Sequence, residues 1–336
     1  MITTYFRSSS LSTFDWCEAK YLFVYLLGEK DPANKSASKG SLVHKILECL
    51  AWSKKCQQDG LEYFEDDILG RIKANQSHNE FFELFKDHYA TEYKNHWIGT
   101  PFEKNEYWRP ADFRDCINWI ENTLSFKNGA YDPRNCHIVY PERFFDIELD
   151  FDWANYRFEI GDIILEGKLK LRGTMDLTIQ IDENTYRIVD YKTGSLTNFK
   201  YAHRPDKKYE DLCEDQQFKM YYYVAKKLYE KQLQFEALYN KYPKSFLLYM
   251  DDQSANSALA TIKQTFEKIK KIEIPKFAKR SNNKTPCKFC IFNKMDTCDK
   301  LEKELLTIGS GNGIIVARDN LKSLNQYDGG GKVLQL

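Results

Sequence analysis

Several features that define other protein classes are missing from this sequence. It has no run of 18 apolar residues, so we expect no transmembrane helix. It has no G-x-x-x-x-G-K-[ST] phosphate loop, so no helicase or ATPase motor of that type is encoded. Its 49 basic and 49 acidic residues leave no net charge, and any nucleic-acid-binding surface must therefore be local.

A disulfide framework is also not expected. The nine cysteines are an odd number, and we find no signal peptide at the start of the chain. Both observations favour free or cofactor-bound thiols in a reducing compartment, which predicts a cytoplasmic protein.

One stretch, from Lys263 to Lys288, is strongly basic. It contains nine basic and two acidic residues, a local net charge of +7. Phosphate backbones bind such stretches because counterions are released, so DNA contact is one interpretation. A solvated amphipathic helix is the alternative.

The glycines of residues 308–336 predict a loosely ordered tail.

The segment 173–194 predicts two strands joined by a short turn of turn-forming residues. Apolar and polar residues alternate in the first strand, and the second is rich in β-branched and aromatic residues. Side chains alternate across a strand, so Asp190 and Lys192 share a face. A three-residue turn at 182–184 would place Asp176 opposite Asp190. A turn of two or four residues would put these acids on opposite faces, so we expect the odd-length turn or a correcting bulge.

Two carboxylates and a lysine are the residue types that metal-assisted phosphodiester cleavage needs. Hard cations such as Mg²⁺ and Mn²⁺ bind carboxylate oxygens together with substrate phosphate and water. The ion polarises the phosphate and acidifies bound water, and a nearby lysine can neutralise developing charge. Taken alone, the same residues fit an ordinary surface hairpin equally well.

The pattern G-x-x-D followed by D-Y-K-T-G in this segment resembles the RecB-type nucleases of the PD-(D/E)xK superfamily. Three other stretches match that family in the expected order along the chain. They are an opening helix at Ser9–Cys17, a G-x-x-x-H motif at Gly40–His44, and a Q-x-x-x-Y helix with Gln217 and Tyr221. Together these motifs cover nearly the whole chain.

The resemblance implies a divalent metal centre and a catalytic lysine. His44, Asp176 and Asp190 would bind Mg²⁺ or Mn²⁺. The Tyr191 carbonyl would be a fourth ligand, and Lys192 would be the catalytic lysine. In isolation, His44 is better explained as an ordinary helical histidine.

Three more residues receive roles from the resemblance. Gln217 and Tyr221 would face the active site one helical turn apart, which i, i+4 spacing allows. Glu142 would be the acid that precedes the family's first core strand. Without the resemblance, Gln217 and Tyr221 are ordinary helix-surface and core residues, and Glu142 is a strand-edge charge.

The cysteines provide a second, independent signal. Cys287, Cys290 and Cys298 form a compact C-x2-C-x7-C set, which is one ligand short of a tetrahedral site. Cys17 would supply the fourth ligand if the two chain regions meet. This arrangement resembles that of a subset of the family, which includes the CRISPR-associated exonucleases and the AddB nuclease subunit. In that subset, four cysteines hold a structural 4Fe–4S cluster.

Two departures from that pattern keep Zn²⁺ open as the alternative. Glu18 stands where those members usually have proline after the first cysteine, and the spacing from Cys290 to Cys298 is longer than theirs. All-thiolate sites suit either zinc or an iron–sulfur cluster.

The resemblance implies an α/β (α+β) fold with a restriction-endonuclease-like core, in which a mixed central sheet is flanked by helices. Hydrophobic patterning predicts helices at 42–52, 80–93 and 111–124. We expect one nuclease domain over residues 1–300, followed by a tail at 301–336. Within the domain, residues 1–30 and 285–300 would be cluster arms, 41–130 a helical insertion, and 137–250 the catalytic core.

These observations favour a metal-dependent DNA nuclease, and the resemblance favours an exonuclease acting on single-stranded or end-resected DNA. A helicase or recombination partner is left open, and no membrane partner is expected. One alternative is a catalytically weak nuclease fold that binds DNA or docks a partner in a repair complex. Another is a zinc-stapled nucleic-acid-binding domain in which the hairpin has no catalytic role.

Overall fold

The computed structural model describes residues 3–26, 31–32, 34–160, 163–198, 203, 205–272, 287, 290–295 and 298. The second half of the basic stretch, after Ile272, lies outside the described residues except for Cys287. The tail at 301–336 lies outside them as well. Among the described helices, none combines the length and apolar character that crossing a membrane requires.

The helices and strands alternate along the chain. The helices are α1 (Ser8–Trp16), α2 (Glu18–Tyr21), α3 (Lys35–Asp59), α4 (His78–Trp97), α5 (Pro110–Ser125), α6 (Tyr209–Cys213), α7 (Gln216–Leu228), α8 (Asp252–Lys271) and α9 (Ile291–Lys294). The strands are β1 (Tyr5–Phe6), β2 (Tyr63–Asp66), β3 (Gly70–Lys73), β4 (His137–Glu148), β5 (Asn155–Ile160), β6 (Ile163–Lys168), β7 (Lys170–Gln180), β8 (Thr185–Lys192), β9 (Gln232–Tyr239) and β10 (Lys244–Leu248).

The chain divides into two compact units that alternate along the sequence. The first unit contains Met1–Asp31, Phe145–Gly173 and Asn256–Leu336. Within it, β1 pairs in parallel with the start of β7, and β5 pairs with β6 in an antiparallel hairpin. Aromatic contacts stabilise this unit: the rings of Phe6 and Phe266 meet edge to face, with 6.4 Å between their centroids.

The second unit contains Pro32–Phe144 and Thr174–Ala255. Its strands are ordered β7-β8-β9-β10, and β4 also pairs with β7. The β7–β8 and β9–β10 pairs are antiparallel, whereas β8 and β9 are parallel. The central sheet is therefore mixed.

Helices cover both faces of this sheet in the second unit. On one face, apolar residues of α3, α4 and α5 form a continuous core with strand residues such as Val189, Tyr191 and Leu238. On the other face lies α7, where the rings of Tyr222 and Phe235 are 6.0 Å apart. Because both faces are covered, the end of β9 is an unbroken run of buried residues. The expected mixed α/β fold with flanking helices is confirmed.

The expected helices at 42–52, 80–93 and 111–124 lie inside α3, α4 and α5. Asn34 caps the start of helix α3, and its Oδ1 accepts the Ala37 N–H at 2.9 Å. Gly60 caps the end of the helix in a left-handed conformation with φ of 71°. Between α3 and α4, β2 and β3 form a short hairpin within the segment expected to be a helical insertion.

Candidate active site

The turn between β7 and β8 contains three residues, 182–184. The Ile181 N–H donates to the Thr185 carbonyl at 2.9 Å, and the strand register pairs Leu177 with Val189. The odd-length turn expected from the sequence is thereby confirmed. The regular β7–β8 pairing covers residues 177–180 of β7 and does not extend back to Asp176. Instead, the Asp176 Oδ2 accepts the Tyr191 N–H at 2.8 Å. This carboxylate therefore lies directly beside the Asp190–Lys192 segment.

Three potential metal ligands converge at this point. Among the described residues, His44, Glu142 and Asp176 are the one group of histidine, cysteine and acidic side chains whose ligand atoms all lie within 4.8 Å of one another. His44 Nδ1 is 3.5 Å from Asp176 Oδ2, and its ring meets the edge of Tyr191 with 6.0 Å between centroids. One imidazole and two carboxylates suit Mn²⁺ or Mg²⁺.

Glu142 reaches the group through an unusual backbone conformation. It lies within β4, yet its φ is 43°, a region that non-glycine residues rarely adopt. Burial raises the pKa of the Glu142 carboxyl to about 9, and the nearby Asp176 carboxylate adds to this effect. Glu142 therefore combines backbone strain with repulsion from the neighbouring Asp176 carboxylate. Both features are common at functional sites.

Asp190 and Lys192 form a second, adjoining set of contacts with α7. Lys192 Nζ is 2.7 Å from Asp190 Oδ2 and donates to Gln217 Oε1 at 2.6 Å. Gln217 Nε2 in turn donates to Asp190 Oδ1 at 2.8 Å. The three side chains therefore close a ring, in which the Gln217 amide orientation is set by one donor and one acceptor.

Tyr221 holds this ring against the neighbouring strand. Its hydroxyl accepts from Gln217 Nε2 at 2.9 Å and donates to the Thr174 carbonyl at 2.6 Å. Gln217 and Tyr221 thus face the same site from one side of α7, one helical turn apart.

Asp190 is deeply buried, with 2% of its surface exposed. Burial raises the pKa of its carboxyl to about 6; Lys192 opposes this shift, and Asp176 adds to it. Its Oδ2 makes the ion-pair contact with Lys192 but has no aligned hydrogen bond among the described residues. Asp190 lies beside the His44–Glu142–Asp176 group, not within it.

Helix α3 approaches these strands closely because of Gly40. A Cβ atom at Gly40 would lie 2.3 Å from Thr193 Oγ1 and 3.2 Å from Thr193 Cβ. The glycine therefore permits α3 to pack against the end of the D-Y-K-T segment, and His44 follows it one turn later.

A charge cluster next to His44 was not predicted from the sequence. The Lys45 ammonium contacts Glu48 at 2.7 Å and both Asp66 and Asp67 at 3.0 Å. It ties α3 to the turn of the β2–β3 hairpin. The spacing of Lys45 and Glu48 on one helix is the only sequence signal for it, since the two aspartates come from a distant turn.

The four cysteines proposed to bind a cofactor all belong to the first unit. Cys17 caps α2, and its Sγ accepts the Lys20 N–H at 3.4 Å. The Cys290 N–H donates to the Cys287 carbonyl at 3.2 Å. No three of the described cysteine sulfurs lie within 4.8 Å of one another, whereas a zinc site would bring them to roughly 3.8 Å.

A mixed sheet flanked by helices, with carboxylates, a histidine and a lysine gathered around one hairpin, defines an α/β protein of the restriction-endonuclease-like class. The chain belongs to the PD-(D/E)XK nuclease superfamily, whose family model matches residues 8–295. Members of this superfamily typically use Mg²⁺ or Mn²⁺, and the family implies DNA as the substrate.

Solved structures provide one further comparison. A protein from Eubacterium rectale, described as a "Putative exonuclease", is 15% identical and has a TM-score of 0.47; the match covers 87% of this chain and 88% of that one. A search of curated proteins finds no match.

Proposed function

We propose that this chain is a metal-dependent deoxyribonuclease that acts as an exonuclease on single-stranded or end-resected DNA. The observation that carries the proposal is the pairing of two sets of residues. The His44–Glu142–Asp176 group lies beside the ring of Asp190, Lys192 and Gln217. The whole arrangement belongs to the second unit, and residues 1–300 would form one nuclease domain.

His44, Asp176 and Asp190 would hold the ion together with the Tyr191 carbonyl, and Glu142 is added to this set by its position. A bound Mg²⁺ or Mn²⁺ supplies polarisation of the phosphate and a more acidic water. The hydrogen bond from the Tyr191 N–H to Asp176 Oδ2, which brings the Asp190 segment next to Asp176, supports the role of Asp190 as a ligand. The two raised carboxyl pKa values fit a site that a cation stabilises.

Lys192 would act as a cation and hydrogen-bond donor. Burial works against its charge, but the Asp190 and Asp215 carboxylates outweigh burial and raise the pKa of Lys192. The protonated ammonium is therefore suited to stabilising negative charge on the phosphate in the transition state, not to removing a proton from water. Gln217 and Tyr221 would fix the direction in which this ammonium points.

A digestion assay tests the nuclease proposal. Labelled single-stranded and double-stranded DNA are incubated with Mg²⁺ or Mn²⁺ and with the wild type, Asp190→Ala or Lys192→Ala. We expect the wild type to cut and both variants to lose at least about 100-fold in rate, because Asp190→Ala removes a proposed ligand of the ion and Lys192→Ala removes a positive charge that would stabilise the transition state. Glu183→Ala, an exposed acid in the turn of the same hairpin, is the matched control and should cut normally.

Two results would contradict the assignment. A wild type that leaves DNA intact under all these conditions would remove the enzymatic function and favour a DNA-binding or docking module. Cleavage by Asp190→Ala at the rate of Glu183→Ala would remove the site. Progressive shortening from an end, and protection by circularising the strand, would identify an exonuclease.

We also propose that Cys17, Cys287, Cys290 and Cys298 bind a structural 4Fe–4S cluster, with Zn²⁺ as the alternative. The proposal is supported by the cysteine spacing and by the membership of all four residues in one unit. Anaerobically purified protein should contain iron and acid-labile sulfide, and Cys17→Ser should lose both. Cys49→Ser, a buried thiol of the second unit, is the control. Zinc without iron would select the alternative, and neither metal would remove the site.

A further inference from the structure

The loop Asn240–Pro243, here called the 240–243 loop, joins β9 to β10 and begins beside the candidate active site. Strands β8 and β9 are parallel, and their last paired residues are Lys192 and Tyr239. The Asn240 N–H then donates to the Lys192 carbonyl at 3.0 Å. The loop therefore leaves the sheet at the edge where Lys192 ends its strand.

The base of this loop is held firmly. Asn240 is fully buried, and its Nδ2 donates to Thr123 Oγ1 at 2.6 Å. Asn122 Nδ2 donates to the Asn240 carbonyl at 3.3 Å, so α5 contacts the loop twice. Pro243 restricts the backbone of the preceding Tyr242. A loop anchored in this way presents its outer side chains at a small entropic cost.

Lys241 presents a positive charge that is oriented but not neutralised. Its exposed ammonium lies 5.7 Å from the ring centroid of Trp119 and 5.4 Å from that of Tyr242. Within the described part of the chain, no carboxylate lies within 4.0 Å of it. Lys39 approaches the same indole at 5.2 Å but is paired with Asp115 at 2.6 Å. Cation–π contacts hold an ammonium in place without cancelling its charge.

Tyr242 adds an exposed aromatic face next to that charge. Its side chain is 38% exposed and has no hydrogen-bond partner among the described residues. Proteins bind single strands by combining basic side chains, which contact phosphates, with aromatic rings on which unpaired bases stack. Bases within a duplex are already stacked on each other and are unavailable to such a ring.

We propose that the 240–243 loop binds one nucleotide of a single DNA strand that flanks the scissile phosphate. Lys241 contacts a backbone phosphate, and Tyr242 stacks on an unpaired base. This inference rests on the proposed nuclease function and specifies its substrate as single-stranded DNA.

Binding measurements on the full chain test the loop. Fluorescence anisotropy with a labelled oligonucleotide, single-stranded or in a duplex, is recorded in the presence of a chelator so that no cleavage occurs. Tyr242→Ala should raise the Kd for the single strand at least about fivefold. Lys241→Ala should reduce the slope of log K against log salt by about 0.7, whereas Lys241→Arg should keep it.

The opposite end of the same hairpin offers matched controls. Lys231 precedes β9 and lies 5.8 Å from the Tyr186 ring, and Tyr249 follows β10 and is 67% exposed. Lys231→Ala and Tyr249→Ala should bind both DNA forms like the wild type. If the loop variants bind the single strand as tightly as these controls, or if Tyr242→Ala weakens duplex binding as much as single-strand binding, the inference is overturned.

A small substrate separates the loop from the catalytic site. The p-nitrophenyl ester of thymidine 5′-phosphate has a single phosphodiester, so with Mn²⁺ the loop variants should hydrolyse it as fast as the wild type. A large loss there would show that the variants damage the site, and it would overturn a role limited to strand binding. A wild type that cuts no DNA, while loop variants still bind the single strand weakly, would defeat the nuclease proposal and with it the scissile phosphate, and would leave the loop as a single-strand-binding element alone.

Discussion

At the scale of single residues, Glu142 combines three features that each cost free energy in the folded, metal-free protein. Its backbone has a positive φ, its side chain is half-buried, and its carboxylate lies within 4.8 Å of the ligand atoms of His44 and Asp176. A left-handed conformation for such a residue costs on the order of 1 kcal/mol or more. A divalent cation would offset the electrostatic part of this cost, because it stabilises both carboxylates in their charged form.

This argument predicts how pH affects the metal-free protein. Burial raises the pKa of Glu142 from 4.5 to about 9, so between these values the folded state keeps a proton that the unfolded state has lost. Its contribution therefore makes the protein less stable as pH rises from about 4.5 to 9. Glu142→Gln removes this titration, and we expect it to stabilise the metal-free protein at pH 8.5 by at least about 1 kcal/mol.

Thermal unfolding with a chelator measures the effect. At pH 4, where Glu142 is mostly protonated in both states, the variant and the wild type should unfold at nearly the same temperature. Glu183→Gln, at an exposed position in the 182–184 turn, should change neither midpoint. A Glu142→Gln variant that is less stable than the wild type at pH 8.5 would contradict the raised pKa.

Gln217 and Tyr221 should act as one unit. Tyr221 is linked to the Asp190–Lys192 pair through Gln217, because its hydroxyl accepts from Gln217 Nε2 and donates to the Thr174 carbonyl. Gln217→Ala should therefore lower kcat by about 10- to 100-fold, and Tyr221→Phe by less. In a double-mutant cycle, Tyr221→Phe should add little to Gln217→Ala. Fully additive losses in kcat would show that the tyrosine has an independent role.

At the scale of secondary-structure elements, the position of α3 depends on one missing methyl group. Gly40→Ala would place a Cβ atom 2.3 Å from Thr193 Oγ1. Alanine favours a helix over glycine by about 1 kcal/mol, but overpacking costs typically 1–3 kcal/mol. We expect a net loss of stability and a lower rate of DNA cleavage, because α3 carries His44.

Two further variants make the Gly40 prediction specific. Removing the clashing hydroxyl in Gly40→Ala/Thr193→Ala should recover part of the lost stability in denaturant unfolding. Gly194→Ala, at a neighbouring glycine with open space around its Cβ position, should be tolerated. Equal stability of Gly40→Ala and the wild type would mean that α3 does not depend on this close approach.

The elements differ in how far their sequence predicted them. The register of β7 and β8 followed from alternation and turn residues, because an odd loop is the only simple way to bring Asp176 and Asp190 to one face. The long helices followed from their apolar period. The β2–β3 hairpin did not, since its strands have only four residues each and its turn is held by Lys45 from another element.

Within the candidate site, some features could be predicted from local sequence patterns, and others depend on tertiary contacts. Family motifs predicted His44, Gln217 and Tyr221 as candidate site residues. The positive φ of Glu142 and the clash that would follow a Cβ at Gly40 are properties of packed neighbours, which no periodicity encodes. Lys241 has no motif at all, and only its position after β9 and its two aromatic contacts draw attention to it.

At the scale of the whole molecule, the two candidate cofactor sites belong to different units. His44, Glu142, Asp176 and Asp190 lie in the second unit, and the four cysteines proposed to bind a cofactor lie in the first. A ligand that binds only the folded form of one unit stabilises that unit by mass action. Each cofactor should therefore slow local unfolding mainly in the unit that contains its own site.

Hydrogen exchange resolved by peptide tests this separation. Mn²⁺ at about 100 times its Kd should add about 2.7 kcal/mol of protection, concentrated in α3, β8 and the part of β7 after Gly173. Peptides from β1 and α1 should change much less, because their unit contains none of the proposed ion ligands. Asp176→Asn should abolish the Mn²⁺ effect, whereas Cys17→Ser should leave it intact. Equal protection in both units would mean that they unfold together, since ion binding would then stabilise the chain as one cooperative structure.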